Sequence, residues 1–186
     1  MTPKIRDAFV QGMSRAVQTV TVVTTDGVAG RAGLTLSTMV SVSADGDHPT
    51  LLICVKHTAQ AAPRIIGNGV FCVNMLRGDQ IQIADVFAGR FAEQFADKFA
   101  VAEWELMPLG TPRLLDPLVG FECELIQNLR IGTHHIFVGA VQSVYLPPQG
   151  PALIYADRAY AKLADTDPAL FSAEAATQSG STSKSS

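Results

Sequence analysis

The chain has little of what several large classes of binding protein require. Charge of one sign is missing: 14 Lys and Arg stand against 17 Asp and Glu, a formal net charge of −3 over 186 residues. That excludes the basic footprint on which nucleic-acid binding rests and points to a small-molecule partner. Cysteine is scarce and odd in number. Cys54, Cys72 and Cys123 each sit in an apolar, strand-like run with no CxxC or Cys/His spacing, so disulfide and metal readings fall away and the thiols read as buried small hydrophobes. No apolar run approaches the roughly 18 to 20 residues of a membrane span, and the opening Met1-Thr2-Pro3-Lys4-Ile5-Arg6-Asp7 lacks the apolar stretch of a signal peptide. The expectation is a cytoplasmic protein. Familiar nucleotide signatures are absent as well: Gly27, Gly30 and Gly33 do not make GxGxxG, and there is no Walker loop, GxSxG elbow or HExxH.

What is present is enough to build one core. A hydrophobic content of 47% at this length fits a single domain. Its expected extent is residues 1–165, with 166–186 as a flexible tail whose Ser-, Thr- and Gly-rich end is too polar to repay its ordering entropy. Residues 3–16 carry apolar side chains at helical offsets after Pro3, and Val17 to Thr25 reads as a strand entering a hairpin at Asp26-Gly27. From Leu34 the alternation is clean. Leu34, Leu36, Thr38, Val40 and Val42 point one way, and Thr35, Ser37, Met39, Ser41 and Ser43 the other. Leu51 to Val55 and Val70 to Leu76 are short apolar runs suited to central strands, separated by a short helix starting between 58 and 62 with Pro63 in its first turn.

Residues 79–88 form a helical pattern stopped by Gly89, and Phe91, Phe95 and Phe99 recur every four residues as a further helix face would. Prolines at 108, 112 and 117 predict an irregular connection from Met107 to Leu118. Phe121, Cys123 and Leu125 alternate with Glu122 and Glu124 in one strand, and His134 to Leu146 makes a second strand that pairs with it. A last short strand covers Ala152 to Tyr155. Strands interrupted only by short helices argue for a mostly β, antiparallel Greek-key barrel rather than a doubly wound parallel sheet.

Three features carry possible chemistry. The hydroxyl stripe Thr35, Ser37, Ser41 and Ser43 can hold a phosphate with the adjacent N–H groups, and a solvated strand face explains it equally well. Lys56-His57-Thr58 puts a cation and capping donors at a strand end near a helix start, where an anion is welcome; a plain charged strand end is the alternative. His134 and His135 are consecutive on a strand, so only one can look into a given cavity. His134 is either a donor or proton source beside a redox centre or a satisfied barrel histidine.

The ordered set GRAGLTLSTMVSVS (30–43), PTLLICVKHT (49–58), NGVFCVNML (68–76), DVFAGRF (85–91), DKF (97–99), GTP (110–112), FEC (121–123), GTHHIFVGAV (132–141) and ALIYADRAY (152–160) resembles the flavin reductase-like family. These are the short reductase components of two-component flavin-dependent monooxygenases. The resemblance implies an FMN-binding split barrel, a homodimer, and transfer of hydride from NADH or NADPH to FMN or FAD, which then supplies a partner monooxygenase. It implies cofactor contacts at Thr35, Ser37, Met39, Val40 and Ser41, at Cys54, Val55, Lys56, His57 and Thr58, at Ala88 and Gly89, and at Tyr160. His134 matches the family's GDH histidine on the nicotinamide side and is the expected catalytic residue, although Thr133 stands where the family usually has Asp. The THH form with ALIY also resembles the cob(II)yrinic acid a,c-diamide reductase branch, which makes corrinoid reduction an alternative. A non-enzymatic flavin- or haem-binding split barrel is a second alternative.

Overall fold

The computed structural model describes residues 3–148 and 150–162. Helix α1 (Pro3–Ser14) leads into the short strand β1 (Gln18–Thr19) and then β2 (Thr21–Thr25), whose run of β-branched residues is stiff in extended form. β2 turns back as a hairpin onto β3 (Ala32–Leu36). Beyond Ser37–Thr38 come β4 (Met39–Ser43), β5 (Thr50–Lys56), helix α2 (Ala61–Asn68), β6 (Val70–Met75) and helix α3 (Ile81–Phe87). α2 takes Pro63 in its first turn, where a missing N–H does no harm, and ends at Gly69, whose φ of 70° lets its N–H cap the carbonyl of Ile65. β7 (Trp104–Leu106) and β8 (Pro112–Leu114) form a two-stranded ribbon. β9 (Val119–Ile131) and β10 (His134–Tyr145) form the long hairpin, and β11 (Leu153–Ala156) with β12 (Ala159–Lys162) the last one.

The main sheet is antiparallel throughout and runs β3-β2-β6-β9-β10-β5-β4. Its two edge strands are chain neighbours joined only by Ser37–Thr38, so the sheet curls until its edges meet at that bend. This is the antiparallel barrel expected from the strand pattern, in the split form that the resemblance implies. β2 is buried along its whole length because both of its faces are covered. Val23 joins Ile53, Val55, Phe71 and Phe137 inside the barrel, while Val22 faces a second core of Phe87, Phe99, Leu114 and Leu153 beneath α3.

Several local expectations change in the folded chain. The alternation from Leu34 is not one strand: Leu34, Leu36 and Met39 pack toward the barrel core, whereas Val40 and Val42 are exposed. The Ser37–Thr38 bend, which carries the chain from one sheet edge to the other, shifts the phase by one residue. Phe91, Phe95 and Phe99 do not share a helix. Gly89, at φ 84°, ends the α3 region, and the Asp97 carboxylate accepts the Phe99 N–H to start a separate 3₁₀ turn, Lys98–Val101. Phe99 is buried with its ring 5.2 Å from that of Phe87 and 4.9 Å from that of Trp104. The supposedly irregular connection contains β8, which tolerates Pro112 because the ribbon has only two strands. Tyr155 is followed by a further strand, across a turn in which Asp157 and Arg158 have φ of 48° and 62°. Residues 163–186, including the end of the expected domain and the whole expected tail, lie outside the described residues.

Candidate active site

The bend that closes the barrel gathers most of the residues singled out in the sequence. On its open side, β5 lies between β4 and β10 with Val40 opposite Leu52, Ile136 opposite Cys54 and His134 opposite Lys56. Val40, Cys54, Lys56 and His134 therefore share one face of the sheet. Lys56 and Thr58 are exposed, and the His57 N–H donates to the Thr133 carbonyl at 2.9 Å, which pins the end of β5 to the β9–β10 turn. Val55 points the other way, into the barrel core, so only its main chain can meet a ligand. Met39 also packs toward the core, while Ser41 is exposed on the edge strand.

The two histidines separate as strand neighbours must. His134 is exposed, with Nδ1 3.0 Å from the Thr133 hydroxyl, so the threonine stands in as a neutral partner where a carboxylate was expected. His135 shares the register of Val55 and stacks on Phe137 at 5.3 Å with an interplanar angle of 9°. Its Nδ1 lies 2.8 Å from Asn128 Oδ1, and partial burial, with Arg130 and His57 nearby, holds its imidazole below the usual histidine range.

On the other side of the bend a small cleft of 150 Å³ has walls of Val20, Leu36, Tyr155 and Tyr160, with Ser37 and Arg90 also lining it. Thr35 and Ala88 line it too, but the Thr35 hydroxyl is committed to the Ala84 carbonyl at 2.6 Å, tying β3 to the last turn of α3. Gly33 makes that approach possible: a Cβ there would fall 2.5 Å from the Phe87 ring. The Tyr160 hydroxyl donates to Asp85 Oδ1 at 2.9 Å, and Arg90 pairs with the same oxygen at 3.0 Å. Burial and the Asp85 bond push the Tyr160 phenol up to about 12, against the opposing pull of Arg90. Tyr160 thus presents its ring to the cleft and keeps its proton for Asp85.

A larger cleft of 620 Å³ shares Thr35 and Ala88 in its lining, together with Arg31, Arg64 and Lys98. Arg31, Asp85, Arg90 and Lys98 stand within the quoted motifs without being named as site residues, and Arg64 lies outside them. They come from four separate segments, and no spacing rule links them. Together the clefts suit a flavin: aromatic and aliphatic walls for a flat ring, a rim at Ser37 and Ala88, and cations in the neighbouring cleft for its phosphate, while Gly89 lines a separate small pocket with Arg90 and Phe91.

Comparison with known proteins agrees with this geometry. Residues 13–164 match the flavin reductase like domain. An FMN reductase (NADH), RutF, of Methylorubrum populi is 38% identical over 161 residues, covering 87% of this chain and 78% of the relative. The protein of the same description from Stutzerimonas stutzeri is 37% identical over 158 residues, covering 85% and 88%. Among solved structures, BorF, the flavin reductase component of a bacterial two-component tryptophan halogenase, superposes with a TM-score of 0.77 at 28% identity, covering 87% of this chain and 99% of that one. The NADH:FAD oxidoreductase SgcE6 of Streptomyces globisporus, solved with NAD and FAD fragments, gives 0.78 at 27% identity, covering 90% and 98%. A split barrel closed at a ligand-sized seam, and a match that spans most of the chain, place this protein in the flavin reductase-like family.

Proposed function

We propose that the protein is an NAD(P)H:flavin oxidoreductase that binds FMN or FAD at the barrel seam and reduces it with NADH or NADPH. The observation that carries this reading is the pair of clefts that share Thr35 and Ala88 near the Ser37–Thr38 bend, one walled by Val20, Leu36, Tyr155 and Tyr160 and the other by Arg31, Arg64 and Lys98. The relatives named FMN reductase (NADH) support NADH as donor and FMN as acceptor. Bound flavin supplies the hydride-accepting chemistry, and the residues of the chain position the rings and exclude water. The main-chain groups around Ser37, Ala88 and Gly89 hold the ring edge, Tyr160 covers one wall, and Lys56, His57 and Thr58 edge the open side. His134 orients the nicotinamide from the outer face, next to Thr133.

A homodimer completes the reading. The outer face of the sheet around His134 and Lys56 exposes Val40 (52%), Val42 (52%), Leu129 (51%) and Ile131 (58%), an apolar surface that a second copy would cover. Light scattering at micromolar concentration should give twice the chain mass; a monomer with flavin present overturns this part. No helix among the described residues is long and apolar enough to cross a membrane. We infer a cytoplasmic reductase that delivers reduced flavin to a partner monooxygenase; BorF, the flavin reductase component of a two-component tryptophan halogenase, is a precedent for a reductase that serves a partner enzyme. The deciding experiment is NADH and NADPH oxidation with excess free FMN or FAD, with and without a cob(II)yrinic acid diamide. Turnover with flavin alone supports the proposal. Turnover only with the corrinoid, or flavin retention without nicotinamide oxidation, overturns it in favour of a corrinoid reductase or a binding module respectively.

A further inference from the structure

We infer that α1 of one copy packs its apolar side across the outer face of the barrel sheet of a second copy. The inference rests on the homodimer proposed above and names the element that covers its apolar surface.

Among the described residues α1 is turned the wrong way round for a surface helix. Ile5, Phe9 and Met13 recur every four residues as one stripe, on the opposite side of the helix from Asp7 and Gln11. The polar side faces the chain's own β11–β12 turn. The cleft between them is lined on the helix side by Arg6, Asp7, Val10, Gln11, Ser14 and Arg15, all polar but Val10, and the Asp157 N–H donates to the Ser14 carbonyl at 2.6 Å. The apolar stripe looks outward, with Phe9 61% exposed. A helix of 12 residues is marginal in water on its own propensity, and this one contains Gly12 and the β-branched Ile5 and Val10, so packing of the apolar side must hold it. No described residue of the same chain covers that side.

The outer face of the sheet has the matching shape. By register, Val40 on β4, Leu52 and Cys54 on β5, Ile136 and Val138 on β10 and Leu129 on β9 point to one side. This apolar strip crosses three strand spacings, about 14 Å, and the stripe from Ile5 to Met13 is about 12 Å long. The chain thus carries both halves of one contact, which a two-fold pair of copies makes twice. Phe9, at the middle of the stripe, falls over the middle strands β5 and β10, where Cys54 lies opposite Ile136. The same face carries Lys56 and His134, so the covering helix lies along the open side of its neighbour's site.

Light scattering at micromolar concentration reads the first consequence. The parent should be a dimer, and Phe9→Asp should raise its dissociation constant about a hundredfold or more, because two buried rings are lost per dimer. Val28→Asp, at a valine 99% exposed between β2 and β3, should leave the dimer intact, and thermal unfolding checks that each variant is folded. Oxidation by copper phenanthroline reads the second. Phe9→Cys in a Cys54→Ser background, mixed with the parent, should give a disulfide-linked dimer, and neither protein alone should. A dissociation constant unchanged by Phe9→Asp, or a mixture that yields no linked dimer, overturns the inference and leaves the homodimer standing. Linkage of the Phe9→Cys protein alone would pair α1 with α1, and linkage of the parent alone would pair the two sheet faces directly; either result also overturns it. A monomeric parent overturns the homodimer and the inference together. The reductase reading fails separately, by absence of NADH oxidation with free flavin.

Discussion

Replacing Gly33 by alanine tests whether the seam is as tightly built as it looks. The added Cβ would lie 2.5 Å from Phe87 Cε1, 2.9 Å from Cδ1 and 3.2 Å from the Val23 carbonyl oxygen. Phe87 is 1% exposed and its ring is wedged between those of Phe99 and Trp104, at 5.2 and 5.4 Å, so it has no free space to swing into. Strand β3 cannot retreat either, because Gly33 pairs with Thr24 in the hairpin and Thr35 is bonded to Ala84. Overpacking of this kind costs about 1–3 kcal/mol, and the reduced freedom of the unfolded chain returns roughly 0.4–1 kcal/mol. The net loss is about 1–2 kcal/mol, a fall in Tm of about 2–8 °C for a chain of this size. Calorimetry or urea unfolding reads it directly. Phe87→Leu should relieve the clash, so Gly33→Ala should cost clearly less in that background than in the parent. Flavin affinity should drop with Gly33→Ala as well, since Phe87 adjoins Ala88 and Gly89 at the cleft. Equal cost in both backgrounds, or none in the parent, would refute the packing argument.

His134→Ala should raise the KM for the nicotinamide nucleotide or slow anaerobic flavin reduction by about 1–3 kcal/mol in barrier, whereas His135→Ala should mainly reduce stability by losing Asn128 and Phe137. Rapid-mixing measurements giving the reverse order would show that the wrong histidine had been assigned. An aromatic disulfide reagent should leave Cys72 and Cys123 unmodified in the native protein and reach all three thiols after unfolding, because Cys72 and Cys123 are fully buried and burial raises the Cys123 thiol to about 12. Rapid labelling of all three in the native state would contradict their place in the core. The Tyr160 phenol, raised to about 12 from an ordinary 10, contributes stability that is fully present below pH 10 and is lost between pH 10 and 12, since the unfolded chain releases the proton first. Urea unfolding at pH 9 and pH 11 should show a smaller alkaline loss in Tyr160→Phe than in the parent; an equal loss would place the effect elsewhere.

Much of the fold was legible because it follows from local rules. A Val- and Thr-rich run marked β2, continuous apolar runs marked β5 and β6, alternation marked β9 and β10, Gly89 marked a helix end, and strict period-2 logic put His134 and His135 on opposite faces, as the register confirms. The misreadings cluster where a distant partner overrides a local pattern. Glu122 alternates like a solvent-facing residue, yet it is fully buried, its carboxylate accepting the N–H groups of Leu109 and Thr111 and the Thr111 hydroxyl at 2.6 Å. Nothing within its own strand announces a turn thirteen residues away that supplies those donors.

The same division runs through the site. Composition and periodicity by themselves pointed to a mostly β, antiparallel barrel, and the ordered motifs resembled the flavin reductase-like family. Only the tertiary structure decided that the strand from Leu34 bends at Ser37–Thr38, that Val55 turns inward, and that the Thr35 hydroxyl is spent on Ala84. Only it brought Arg31, Arg64 and Lys98 to one cleft. The physical reason is range: hydrophobic periodicity and glycine act over a few residues, whereas a cleft is made where segments far apart in sequence are packed against each other, and side-chain spacing along the chain carries no record of that meeting.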